Sequence, residues 1–161
     1  MTATAIPADL QRVEPGYRNA LRARAAFFWG ALFIIALIIN AAALADTAFS
    51  GALPAVVGLV GLSAIMVTPD RVYKRLGYAI DGRLLRTVRG WLFRIDTVVP
   101  FVRVQHIDVT RGPFDKMFGT ATLVVHTAGT HNSIVTLPGL SPDRAAEIRE
   151  AIRSEIRADA E

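Results

Sequence analysis

Between residues 25 and 67 the chain carries two apolar runs, neither with an ionisable side chain, separated by a short polar connection around Asp46. The first, 25–45, matches the roughly 20 residues that a helix needs to cross the hydrocarbon core of a bilayer. The second, about 49–67, is shorter and more marginal. Ten residues of the first are Leu, Ile or Phe, and each favours insertion by about 0.3–0.6 kcal/mol near a helix centre, so this run is expected to insert alone. Together they read as a transmembrane helical hairpin, and whatever else the chain does is constrained by where that hairpin leaves its polar parts.

Charge gives the hairpin a direction. Arg12, Arg18, Arg22 and Arg24 precede the first run, Arg71, Lys74 and Arg75 follow the second, and the connection holds only Asp46. Basic residues near membrane ends remain on the cytoplasmic side. Both termini are therefore expected in the cytoplasm, in a multi-pass membrane protein. Ala43-Leu44-Ala45 resembles a signal cleavage site, but the run before it is of full spanning length and a second run follows at once. A cleaved signal is thus the weaker reading.

Of 161 residues, 52% are hydrophobic, none is cysteine and the formal net charge is +4. Disulfides, thiolate nucleophiles and cysteine-bound metals are excluded. The basic balance is accounted for by topology, and nucleic acid is not expected as a partner. Beyond the hairpin lie about 90 residues, enough for one small domain. The sequence divides into an N-terminal cytoplasmic segment (1–24), the hairpin (25–67), a cytoplasmic domain (70–157) and a short tail (158–161).

Read in order, the stretch up to Tyr17 shows no sustained periodicity and is expected to be a loose tail or a surface-lying segment, with Tyr17 and Trp29 as interfacial anchors. Asn40 is the strongly polar side chain of the hairpin, a candidate for a contact between helices or subunits. Gly58 and Gly61 are candidates for close helix packing. Thr68-Pro69-Asp70 is expected to end the second helix. Tyr78–Asp81 and Arg83–Arg89 flank Gly82 as a hairpin of strands. Trp91, Phe93 and Ile95 alternate with Leu92, Arg94 and Asp96 as a half-buried strand. From Val102 to Arg111 the apolar parity changes between Val104 and Ile107, which predicts a bulge near Gln105–His106. Phe114–Phe118 reads as a short helical loop, Ala121–His126 and Ser133–Leu137 as strands joined by a turn at 128–132, and Pro138-Gly139 as a strand breaker. Ser141 is a candidate N-cap, with Pro142 at the first helical position. Ala145, Ile148, Ile152 and Ile156 then form one apolar stripe. The soluble part is thus six or seven antiparallel strands followed by an amphipathic helix that must bury its stripe against the sheet.

This order resembles the bacterial pleckstrin-homology-like domain family of the membrane-anchored YdbS-like type. The residues that carry the resemblance are Tyr78–Asp81, Arg103–Val109 with Gly112-Pro113-Phe114, Phe118-Gly119, Leu123–Gly129 and Leu137–Leu140, followed by the last helix. The resemblance implies an α+β membrane protein, with a two-helix transmembrane hairpin followed by a bent antiparallel β-sheet or partial barrel capped by a C-terminal helix. It further implies a membrane-tethered module without a catalytic site, working beside another membrane protein that carries such domains.

The sequence offers little chemistry. His106, His126 and His131 are the three histidines, and a metal site would need all three rings to converge. Ser133 and Ser141 lack any context that activates a nucleophile, Asp81, Asp96 and Asp108 lie on separate strands, and no phosphate-binding glycine motif occurs. No cofactor, metal or catalytic residue is expected. Two surfaces remain as binding candidates. Arg71, Lys74, Arg75, Arg83, Arg86 and Arg89 are expected to form a basic face against anionic headgroups, where each basic residue gains about 1 kcal/mol. Phe114, Met117 and Phe118 are a candidate partner-binding loop, with plugging of a barrel end as the structural alternative. A binding or scaffold module at the cytoplasmic face follows, engaging the bilayer, a membrane protein partner or a second copy of itself. The competing function is a subunit of an oligomeric transport or export assembly with Asn40 lining its path, which the absence of intramembrane charge weakens.

Overall fold

The structure, a computed structural model, describes residues 10–91, 93–128 and 134–158. Strand β1 (Gln11–Arg12) leads directly into α1 (Pro15–Ile39), with proline near the helix start, where its missing N–H breaks no bond. One π-helical turn, Asn40–Leu44, extends the helix. After a short connection, α2 (Ala52–Arg75) returns antiparallel to α1. Both helices are long and apolar enough to cross a membrane.

Two expectations about the helix ends are corrected. Gln11 and Arg12 are not in a loose tail, because they pair with Tyr78 and Gly77, and α1 begins at Pro15, so Arg18, Arg22 and Arg24 all lie on it. Nor does Thr68-Pro69-Asp70 end α2, which continues through Pro69 to Arg75. An internal proline costs a helix about 3 kcal/mol. Here contacts just beyond it hold the last turns in place. Arg22 Nη2 bonds both oxygens of Asp70, at 3.1 and 3.0 Å, and the Tyr73 hydroxyl donates to the Val13 carbonyl at 3.3 Å.

The remainder alternates strands with short turns: β2 (Gly77–Asp81), β3 (Leu84–Arg89), β4 (Ile95–Pro100), a 3-10 turn (Phe101–Arg103), β5 (Val104–Thr110), α3 (Pro113–Met117), β6 (Ala121–Thr127), β7 (Ile134–Leu140) and α4 (Pro142–Ala158). They form two antiparallel sheets, in the orders β1-β2-β3-β4 and β5-β6-β7. The register shifts between Val104 and His106, where the parity change predicted a bulge. Ser141 caps α4 by accepting from the Arg144 N–H at 3.2 Å, and Ala145, Ile148 and Ile152 of the predicted stripe are buried. The fold is the α+β architecture expected from the sequence: two long apolar helices, antiparallel sheets and a C-terminal helix.

Two strand boundaries differ from expectation. Trp91 and Phe93 are not in a half-buried strand: β4 starts at Ile95, and Phe93 is 76% exposed. Gly90, at φ 137°, folds the chain back so that the Phe93 carbonyl occupies the space of a side chain. Pro138-Gly139 does not break β7, which runs to Leu140 across a register shift opposite Ala121 and Thr122. Gly139, at φ 80°, has the Tyr17 ring against its Cα, and its carbonyl accepts from the Glu14 N–H at 2.7 Å. The expected tail at 1–9, Leu92, the turn at 129–133 with His131 and Ser133, and residues 159–161 lie outside the described residues.

The core explains both the early start of α1 and the register shift in β7. Val13 and Tyr17 are buried in one cluster with Leu76, Tyr78 and Leu85 of the first sheet, Leu123 and Leu137 of the second, and Ile148 and Ile152 of α4. Tyr17, expected at the lipid interface, is 6% exposed and lies inside the domain. The chain therefore enters its own soluble domain before it reaches the hairpin.

Candidate functional site

The hairpin packs by placing aromatic rings on glycines. A side chain at Gly58 would meet Phe33, and one at Gly61 would meet Trp29, so α1 rings rest directly on the α2 backbone. Trp29 thus packs within the hairpin, where the sequence suggested an anchor at the lipid boundary. Asn40 Oδ1 accepts from the Gly51 N–H at 2.7 Å, tying the end of α1 to the residue that precedes α2. Elsewhere the outward surface is bare and apolar: Phe27, Ile38, Leu59 and Leu62 are all exposed. This is the surface a hydrocarbon solvent would cover.

The six basic candidates do not share one face, which corrects the expected headgroup-binding surface. In a strand, successive side chains point to opposite faces, so Arg86 projects away from Arg89. Arg86 engages Asp96 with Nε and Nη2, the shortest contact being 2.6 Å. This two-toothed contact holds the Asp96 carboxyl below its usual range. Arg83 binds Glu155 of α4 at 2.8 Å, and Arg89 donates to Thr136 Oγ1 at 3.0 Å. Arg75 donates to the Trp91 carbonyl. Of the six, Arg71 and Lys74 stand exposed on the last turns of α2.

The loop candidates divide. Phe114 and Phe118 are half-buried, while Met117 is 72% exposed. The Phe114 ring lies 6.3 Å from that of Phe27 on α1, and the Phe118 carbonyl closes over Gly16. Asp115 between them is buried and fully bonded. It takes Arg24 Nη2 at 2.7 Å and the Gly112 N–H at 3.0 Å on one oxygen, and the Thr120 hydroxyl at 3.1 Å on the other. Nothing in the local sequence pairs Arg24 with Asp115. Arg18 and Arg22 were the more legible pair, since their spacing of four puts both on one helical face, and both reach Asp70.

His106 and His126 sit on paired strands with their rings 5.8 Å apart, and each Nε2 faces an oxygen of Asp108, at 2.8 and 3.4 Å. Among the described residues, no group of three or more His, Asp or Glu is placed to hold a metal ion. On the first sheet, Ala79, Asp81, Leu84, Arg86, Asp96 and Val98 line an open hollow of ≈ 320 Å³. Val98 and Leu84 are exposed there.

A bent pair of antiparallel sheets closed by a C-terminal helix, joined to two membrane-length helices, is the layout of a membrane-associated pleckstrin-homology domain. Residues 21–156 match the family model described as Bacterial PH domain, and the chain belongs to that family. It is also similar to the transmembrane protein YdbS of Bacillus subtilis (strain 168), with 32% identity over 103 residues, 64% of this chain and 63% of that protein. The aligned region thus covers less than two thirds of that relative. No solved structure matches. The protein is a membrane-associated bacterial PH-domain protein of the YdbS type.

Proposed function

We propose that the chain is a non-catalytic binding or scaffold module, held by its hairpin at the cytoplasmic face of a bacterial membrane with both termini inside. Its partner is a second membrane protein that carries pleckstrin-homology-like domains. The observation that carries this reading is the joint between hairpin and domain. Val13 and Tyr17 lie in the core and Arg18 and Arg22 clasp Asp70, so the domain has one fixed attitude to the two helices. A module whose work is to present a surface at a set height and angle needs such a joint. The surface best suited to a protein partner is the outer face of the first sheet, where exposed Leu84 and Val98 flank the Arg86–Asp96 pair. Arg71 and Lys74 on the last turns of α2 add a contact for anionic headgroups.

The absence of catalysis is part of the proposal, and the state of Asp96 supports it. Asp96 is held ionised by Arg86, which makes it a poor proton acceptor near neutral pH.

A photo-crosslinking residue at Val98 of the full chain, activated in intact membranes, is expected to give one discrete adduct with a membrane protein that bears such domains. Leu84→Asp should abolish it. Adducts that are absent, or unchanged by Leu84→Asp, would refute the partner surface. A topology reporter at Thr47 is expected on the outer side, and a cytoplasmic signal there would refute the orientation.

A further inference from the structure

The position of α3 along α1 gives the domain a depth as well as an attitude. On α1, Arg24 is the last ionisable residue before the apolar run, and none follows until Asp46. The edge of the hydrocarbon therefore falls close to Arg24. Asp115 of α3 is bonded to that arginine at 2.7 Å, and the neighbouring Phe114 ring meets Phe27, one turn further into the run. At about 1.5 Å of rise per residue, Phe27 stands only about 4.5 Å beyond Arg24. The opposite helix agrees with this depth. Arg22 faces Asp70 and Trp29 faces Gly61, so Phe27 lies level with the apolar stretch that precedes Thr68.

Phe27 is itself 73% exposed, and Met117 on α3 is exposed to the same degree, with Lys116 exposed beside it. Bare apolar groups at the boundary of a spanning helix, next to a long cationic side chain, have the chemistry of an interfacial element. The apolar groups enter the acyl region while the ammonium stays among phosphates. The carboxylate on the same short helix fits this placement. Asp115 would be costly beside hydrocarbon if unpaired, yet both oxygens are engaged and its charge is matched by Arg24.

We propose that α3 is a third membrane contact. Phe114 and Met117 enter the bilayer interface alongside α1, and Lys116 lies among anionic headgroups. The loop that resembled a barrel plug or a protein-binding site thus sets the height of the domain above the membrane. This rests on the reading that the hairpin spans the bilayer.

The natural chain has no cysteine, so single labels can be placed cleanly. A polarity-sensitive fluorophore would be attached to Met117→Cys, Ser154→Cys or Ile35→Cys in the full chain. Each variant would be reconstituted into phosphatidylglycerol–phosphatidylethanolamine vesicles, with or without lipids brominated high on the acyl chain. Ser154 is exposed on α4 and Ile35 lies mid-span, so they serve as water and deep references. The expected result is that brominated lipid quenches the Met117 label at least twofold more than the Ser154 label, while aqueous iodide quenches it at least twofold less. A Met117 label as open to iodide as that at Ser154, with the Ile35 label shielded, would overturn this proposal alone. An Ile35 label open to iodide would overturn the spanning hairpin, and this proposal with it.

Discussion

Asp115 illustrates what a single residue decides in this protein. It is a buried carboxylate whose charge is matched from another element, by Arg24 of α1. Removing one partner of a buried polar group leaves a desolvation cost of about 1–3 kcal/mol. Arg24→Met is therefore expected to destabilise the folded chain by about that amount, read as a lower thermal midpoint in detergent, with α3 the first segment to gain amide exchange. Asp96 makes the complementary case at the surface. Because Arg86 depresses its folded-state pKa, the stabilisation from this pair is present above the ordinary carboxylate range and is lost as pH falls through the depressed value. An NMR titration should place the Asp96 midpoint below the ordinary aspartate value of about 3.9, and Arg86→Met should return it towards that value.

At the scale of elements, the two long helices are held together by shape. Trp29 and Phe33 lie where Gly61 and Gly58 lack side chains. Gly61→Leu is expected to push the helices apart and destabilise the hairpin by about 1–3 kcal/mol, the usual cost of overpacking. Trp29→Ala in the same chain should recover part of that loss. Thermal unfolding of the two single variants and the double variant measures the coupling. The composition of these helices was legible in the sequence, as were the small residues of α2. Which rings fill the gaps was not, because a stripe of glycines does not say what rests on it. The bulge in β5 and the cap of α4 were legible, since parity and capping are local. The run of α2 through Pro69 was hidden, because the proline rule holds until tertiary contacts such as Arg22–Asp70 outweigh it.

For the whole molecule, the consequence is that hairpin and domain are one structure. A fragment starting at Asp70 contains every strand from β2 onward, yet it lacks β1, Val13 and Tyr17, which fill the space around Gly139 and Leu76. Loss of a large buried aromatic costs about 3–5 kcal/mol, a sizeable share of the roughly 5–15 kcal/mol that a folded domain has in total. The 70–161 fragment is expected to unfold without cooperativity by calorimetry, and joining 10–24 to it through a short linker should restore a cooperative transition. A cooperative transition in the fragment alone would show that the N-terminal segment only decorates the domain.

The sequence by itself determined what depends on local pattern. It yielded two membrane-length helices, the order of strands and the final amphipathic helix, because run length, period and turn chemistry are written in neighbouring residues. It also led to the right family, since the order of those pieces is specific even where each alone is not. The tertiary structure decided what depends on residues far apart in the chain. Tyr17 was assigned to the lipid boundary by its neighbours, yet Gly139 makes room for its ring in the core. Arg86 and Arg89 looked like one basic patch, yet the two-residue period of a strand and their partners Asp96 and Thr136 send them to opposite faces. The apolar loop at Phe114 had no assigned place until Arg24 and Phe27 set it against the first helix, at the level where the hydrocarbon begins.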